Sequence, residues 1–228
     1  MHESVFNECE FYKINLGRSN LNKSTFTNGY FYKSEVQGCD IRESTITGIV
    51  INDTNFMDSD LTDSRLQGEI MESSHFGAAT LIRTDFSGTS FNGRLWSEPS
   101  FLGANATDSN FSKCRIYGVD FSHANLENAT FFDTSLELVE ISTGKLKNTD
   151  FSKCFINGFN ICEANLENTN FTDAIFTGFI QASDAIFNNV NFTGAKGRLE
   201  EVDLENTIYE KTGLPLAPYH VSHGPAKP

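Results

Sequence analysis

Apolar residues recur at every fifth position of this chain. Starting at Phe6 and stepping by five gives Phe6, Phe11, Leu16, Leu21, Phe26 and Phe31, and the series continues to Phe176 without a slip. It holds 35 consecutive apolar positions, and 15 of the 21 phenylalanines stand in it. At 39% apolar content, chance would produce such a run roughly once in 10¹⁴ trials. A helix would scatter a five-residue period around its circumference, and a strand would send alternate members to opposite faces. The period suits a chain that turns a corner every five residues, each unit forming one short side of a coil.

The positions around each centre agree. Two residues before it, 29 of 35 positions hold Ser, Thr, Ala, Cys, Gly or Val. Between the small residue and the centre stands Asp or Asn in many units, as in Ala124-Asn125-Leu126 and Thr149-Asp150-Phe151. Glycine recurs two residues after the centre, for example at Gly38, Gly68 and Gly158. One large and one small residue per unit then point inward, because the opposite walls of a narrow tube would overpack with two bulky ones.

Units such as Ala124-Asn125-Leu126-Glu127-Asn128 and Val119-Asp120-Phe121-Ser122-His123 resemble the pentapeptide-repeat family, whose motif is small–Asp/Asn–Leu/Phe–polar–Gly. The resemblance implies an all-β, right-handed quadrilateral β-helix with four units per coil, about nine to ten coils in all. On that basis residues 1–179 form one continuous solenoid with no loop between 4 and 178. Residues 180–212 form an irregular last coil and cap, and 213–228, with four prolines, an extended or disordered tail.

The breaks are few. Ile14, Ile49, Glu69, Arg94, Pro99 and Phe159 occupy small-residue positions. Local widening would absorb Ile and Phe, whereas a lone buried charge at Glu69 or Arg94 is costly. The segment Arg94–Pro99 is therefore expected to bulge outward, with Arg94 in solvent. After Phe176 the pattern slips, by one residue near 179–184 and by two more before Val202-Asp203-Leu204.

No chemistry survives this periodicity. Cys9, Cys39, Cys114 and Cys154 fall in the small inward slot, and Cys114 and Cys154 lie on one side two coils apart, too far to bridge. The two histidines His220 and His223 make no closed metal site. There is no phosphate loop, nucleophile elbow or zinc-protease motif. The sequence thus predicts no enzyme activity, no cofactor and no metal. A net charge of −13 argues against direct binding to nucleic acid or to anionic membranes. The N-terminal residues show no signal peptide, so a cytoplasmic location is the default, with export by an unrecognised signal left open.

Function is then expected on the outside, as a rigid acidic rod that binds protein. Stepping by a twenty-residue coil from Leu21 gathers Asp40, Glu43, Asp60, Asp63, Asp120, Glu140 and Glu163 on one side as a candidate acidic face. Tyr12, Tyr30 and Tyr32 are candidate apolar contacts near the N-terminus, and Leu138, Phe155 and Ile175 on another side near the far end. Some pentapeptide-repeat proteins mimic duplex DNA in width and charge and bind DNA gyrase or topoisomerase IV, protecting it from quinolones or other poisons. The resemblance makes that the alternative role here. A homodimer through a solenoid end, or through one of these patches, is a further expectation.

Overall fold

The computed structural model describes residues 1–92 and 99–197, and the backbone of 202–203 and 208–210. Among the described residues every regular segment is a short strand or bridge, and every pairing is parallel. The chain winds as a four-sided β-solenoid of stacked coils. Each coil bonds to the next through its backbone: the Phe56 N–H donates to the His75 carbonyl at 2.7 Å, and the Leu61 N–H to that of Thr80 at 2.8 Å.

Four columns of centres fill the tube. Side 1 is built on Phe26, Ile46, Leu66, Phe86, Phe111 and Phe131, side 2 on Phe11, Phe31, Ile51, Met71, Phe91 and Ile116. Side 3 follows with Val36, Phe56, Phe76, Phe101 and Phe121, and side 4 with Ile41, Leu61, Leu81, Ala106 and Leu126. On side 1, Phe86, Phe111, Phe131, Phe151, Phe171 and Phe192 stack at centroid spacings of 4.8 to 5.1 Å. On side 3, Phe56, Phe76, Phe101 and Phe121 stack at 4.6 to 5.0 Å. The two ladders meet edge to face, Phe111 with Phe121 at 5.6 Å and 89°. Parallel stacking follows from the coil repeat of about 4.8 Å, and offset and T-shaped pairs are what ring quadrupoles favour.

The small slot has a hydrogen-bonding task as well as a steric one. The Ser59 hydroxyl accepts from the Cys39 N–H at 3.1 Å and donates to the Val36 carbonyl at 2.7 Å. Ser44 and Thr134 repeat this geometry, and the thiols of Cys39, Cys114 and Cys154 donate to the same kind of carbonyl at 2.9 to 3.0 Å. Backbone groups that the corner leaves unpaired are thereby satisfied inside the rod. The Asp/Asn position has a reason too. Its side-chain oxygen accepts the N–H two residues on, as Asp150 does from Ser152 at 3.0 Å and Asn170 from Thr172 at 3.1 Å, an Asx turn that fixes the corner. The residue two after the centre is left-handed at nearly every corner, which explains the recurrent glycine there: Gly68 has φ +73° and Gly158 φ +73°.

Coil length is twenty residues with three departures. Asp40 pairs with Asp60, but His75 pairs with Ser100, Thr80 with Asn105 and Ser90 with Arg115, a step of 25. One whole five-residue unit is thus left out of the coil between Asn92 and Pro99. The expected bulge of Arg94–Pro99 falls on residues 93–98, outside the described residues, except for Pro99, which is buried. The expectation of an uninterrupted run from 4 to 178 is corrected by the 25-residue coil. The second departure is at Phe179: Asn157 pairs with Thr177 but Phe159 with Ile180, and Phe179 is 52% exposed. The third lies between Gly197 and Val202, where Ile180 pairs with Val202. The slips of one and two residues read from the sequence correspond to these last two. Residues 213–228, the proline-rich tail, lie outside the described residues.

Candidate functional site

The omitted unit rearranges the surface. A shift of five residues moves everything beyond it by one side relative to a strict count of twenty. Asp40, Glu43, Asp60 and Asp63 lie on side 4 and its corner, in line with Thr80, Asn105 and Asn125. Asp120 and Glu140 instead continue the line Glu35, Asn55, His75 and Ser100 on side 3, with Glu163 at its corner. The single acidic face expected from the sequence is therefore corrected to two groups on neighbouring sides.

The two groups differ in kind. On side 4 bases pair with this group of acids. Arg42 grips Asp40 through two bonds of 2.8 and 2.7 Å and lies 3.7 Å from Asp60. Two guanidinium nitrogens of Arg83, Nε and Nη2, reach Asp63 at 2.6 Å, and Lys23 lies 3.9 Å from Glu43. The arginine hydrogen bonds hold the Asp40 and Asp63 carboxyls below their ordinary range. Among the residues whose side chains are described, side 3 carries six acids, Glu35, Asp58, Asp120, Glu140, Glu163 and Asp184, against one base, Arg18. None of these six takes part in a described ion pair. Their partners are neutral: Asn55 donates to Glu35 at 2.9 Å, Gln37 to Asp58 at 2.9 Å and Asn160 to Glu140 at 2.6 Å.

The same shift unites what the sequence had separated. Tyr12, Tyr30 and Tyr32 lie on side 2, and so do Phe155, Ile175 and, at its corner, Leu138. This side is one continuous parallel sheet from Glu10–Tyr12 to Lys196–Gly197. Val50, Ile70 and Tyr117, which sequence reasoning did not single out, complete an apolar stripe along it, each 45 to 50% exposed. Tyr12 and Tyr32 stack at 5.5 Å, with Lys13 and Lys33 over their rings. Among the described outward residues four acids, Glu10, Asp53, Glu72 and Glu137, balance four bases, Lys13, Lys33, Arg115 and Lys196, so the described outer face of side 2 is neutral in a chain of net charge −13.

Inside the rod, Glu69 is accommodated in the small slot and is 2% exposed. Its carboxylate accepts the Gly48 N–H at 2.8 Å and the Ile49 N–H at 2.6 Å, replacing the usual hydroxyl. Burial pushes its pKa up to about 7 against the pull of those two bonds. Ile49 and Phe159 are also buried, whereas Ile14 is partly in solvent. Cys39, Cys114 and Cys154 are free and buried, and burial pushes the last two thiols up to about 12. These are poor nucleophiles, since the thiolate is the reactive form. Every buried side-chain nitrogen and oxygen among the described residues has a hydrogen-bond partner.

None of the curated proteins matches this chain. Among solved structures it is similar to HetL, a pentapeptide-repeat protein involved in heterocyst differentiation regulation from the cyanobacterium Nostoc sp. strain PCC 7120. Identity is 16%, covering 96% of this chain and 92% of that one, with a TM-score of 0.47. It is also similar to QnrB1, a plasmid-mediated fluoroquinolone resistance protein, at 18% identity over 89% of this chain and 90% of that one, TM-score 0.42. The pentapeptide-repeats family model matches eight copies, over residues 52–93, 100–137 and 145–180. Its first interruption falls where the coil omits a unit, and with this period, pairing and ladder of small residues the chain belongs to the pentapeptide-repeat family.

Proposed function

We propose that this protein is a non-enzymatic rod that binds a basic protein surface along side 3. The carrying observation is the contrast between adjacent sides: on side 4 Asp40, Glu43, Asp60 and Asp63 are paired with arginine and lysine, while none of the six described acids of side 3 takes part in a described ion pair. Charges repeated on a rigid scaffold give a field that steers a cationic partner and fixes its register. A tube filled by stacked phenylalanines, with its thiols buried, supports a role on the outside. The test compares the wild type with Glu35→Gln, Asp120→Asn, Glu140→Gln and Glu163→Gln combined. Asparagine at 120 keeps the Asx turn to Ser122. Crosslinking in the producing cell should capture a basic partner with the wild type and lose it with the variant. Equal capture by both would sink the reading.

A second reading makes that partner DNA gyrase or topoisomerase IV, with side 3 standing in for one edge of a DNA duplex. The same uneven charge favours it. Gyrase supercoiling should then be altered, or rescued from a quinolone, by the wild type and not by the side 3 variant. No effect of either protein at micromolar concentration would leave only the general reading.

A further inference from the structure

We infer that two copies of this chain pack face to face through side 2, with their rods antiparallel. The occupant is argued from charge and area. A chain of net charge −13 repels its own copy everywhere except on a neutral side, and side 2 is the neutral one. It is also where the large exposed apolar residues concentrate: Tyr12, Val50, Ile70, Tyr117, Leu138, Phe155 and Ile175. At about 4.8 Å per coil, this side is roughly 45 Å long and about 15 Å wide, or about 700 Å² per copy. That is close to the ~800 Å² per partner of a standard stable interface.

The outward column just before the centres settles the direction. It reads Glu10, Tyr30, Val50, Ile70, Ser90, then Arg115, Ser135, Phe155, Ile175, Lys196. A two-fold axis lying in the face, along the strand direction between Ser90 and Arg115, lays this column on its own reverse. Glu10 then meets Lys196, Tyr30 meets Ile175 and Val50 meets Phe155. Small Ser135 and Ser90 receive Ile70 and Arg115. A parallel pair whose axis runs along this column would set Glu10 on Glu10 and Arg115 on Arg115. The one like-charge meeting in the antiparallel dimer is Glu72 with Glu137, in the neighbouring column. Such an interface is isologous, each contact occurring twice. The axis preserves the lateral position, so both acidic sides 3 emerge on the same flank of the dimer.

Sedimentation velocity should show a species of twice 25.4 kDa at micromolar concentration. Val50→Lys with Phe155→Lys should return it to monomer with an unchanged β-sheet circular dichroism spectrum. The direction is read by crosslinking in a Cys9→Ser, Cys162→Ser background. Chains carrying Val50→Cys and chains carrying Phe155→Cys should form a disulfide dimer when mixed, and neither should do so alone. A wild type that stays monomeric, a dimer that survives the two lysines, or Val50→Cys chains that crosslink among themselves would each overturn the inference. These readouts use purified protein alone, so they stand or fall apart from partner capture by side 3.

Discussion

Replacing Glu69 with glutamine should remove a pH dependence from the stability of the rod. The carboxyl is 2% exposed, meets no cation within bonding distance and accepts two consecutive backbone N–H groups. Desolvation outweighs those two bonds and raises its pKa from 4.5 to about 7. The folded state therefore holds the proton more tightly than the unfolded chain. The resulting stabilisation is fully present below about pH 4.5 and is lost as pH rises through about 7. At 1.36 kcal/mol per pKa unit the loss is about 3 kcal/mol. Asp40 and Asp63 have the opposite sign: their depressed pKa values add stability that disappears only in acid, below the carboxylate range. Glutamine keeps one oxygen for one of the N–H groups but turns its amide toward the other, at about 1 kcal/mol at every pH. The diagnostic is therefore the slope and not the level. Urea midpoints measured at about pH 4.5 and about pH 8 should fall for the wild type and stay level for Glu69→Gln once common surface effects are subtracted. Parallel slopes in the two proteins would refute the reasoning, and would mean that the buried carboxylate is fully compensated by its two donors.

Four further outcomes follow from the packing. Ser59→Ala removes both the acceptor for Cys39 and the donor to Val36, and urea denaturation should show a loss of about 1–3 kcal/mol that Ser59→Thr largely restores. Phe111→Ala opens a void between two ladders and should cost about 3–5 kcal/mol in the same assay. Thr143 is β-branched at φ +57°, so Thr143→Asn should raise the thermal midpoint, corresponding to about 0.5–1 kcal/mol. A thiol-alkylating reagent followed by mass spectrometry should label Cys9 and Cys162 in the native protein, and reach the buried Cys39, Cys114 and Cys154 only after unfolding.

The architecture was legible because each unit repeats the same inward pair, so one period exposes the whole tube. The roles of the flanking residues were less visible. Periodicity marks Ser59 as small, but only stacked backbones reveal that it bonds the coil before it at two points. Glu69 stood out as an anomaly in the sequence, and the structure supplies the two N–H donors that make it tolerable. The placement of the surface groups failed for an arithmetical reason. Phe179 adds one residue and visibly breaks the five-residue period. Five extra residues leave that period intact while changing the count to 25. The available signals were Arg94 and Pro99 in slots meant for small side chains, which mark the defect without giving its length.

That silent unit means the rod keeps time in fives but aims in twenties. Taken into the coil, the segment would put Trp96 on a centre and Arg94 in a small slot, and every later centre would still find an apolar neighbour. The core would stay apolar after a quarter-turn of the C-terminal half, but its ladders would break, Phe86 facing Ala106 in place of Phe111. Such a coil would require burial of the Arg94 guanidinium, which is expensive without a partner. A coil of twenty there would swing Phe155 and Ile175 out of line with Tyr30 and Val50 without touching any of them. Gain or loss of one unit thus re-aims half the surface while the five-residue period stays intact.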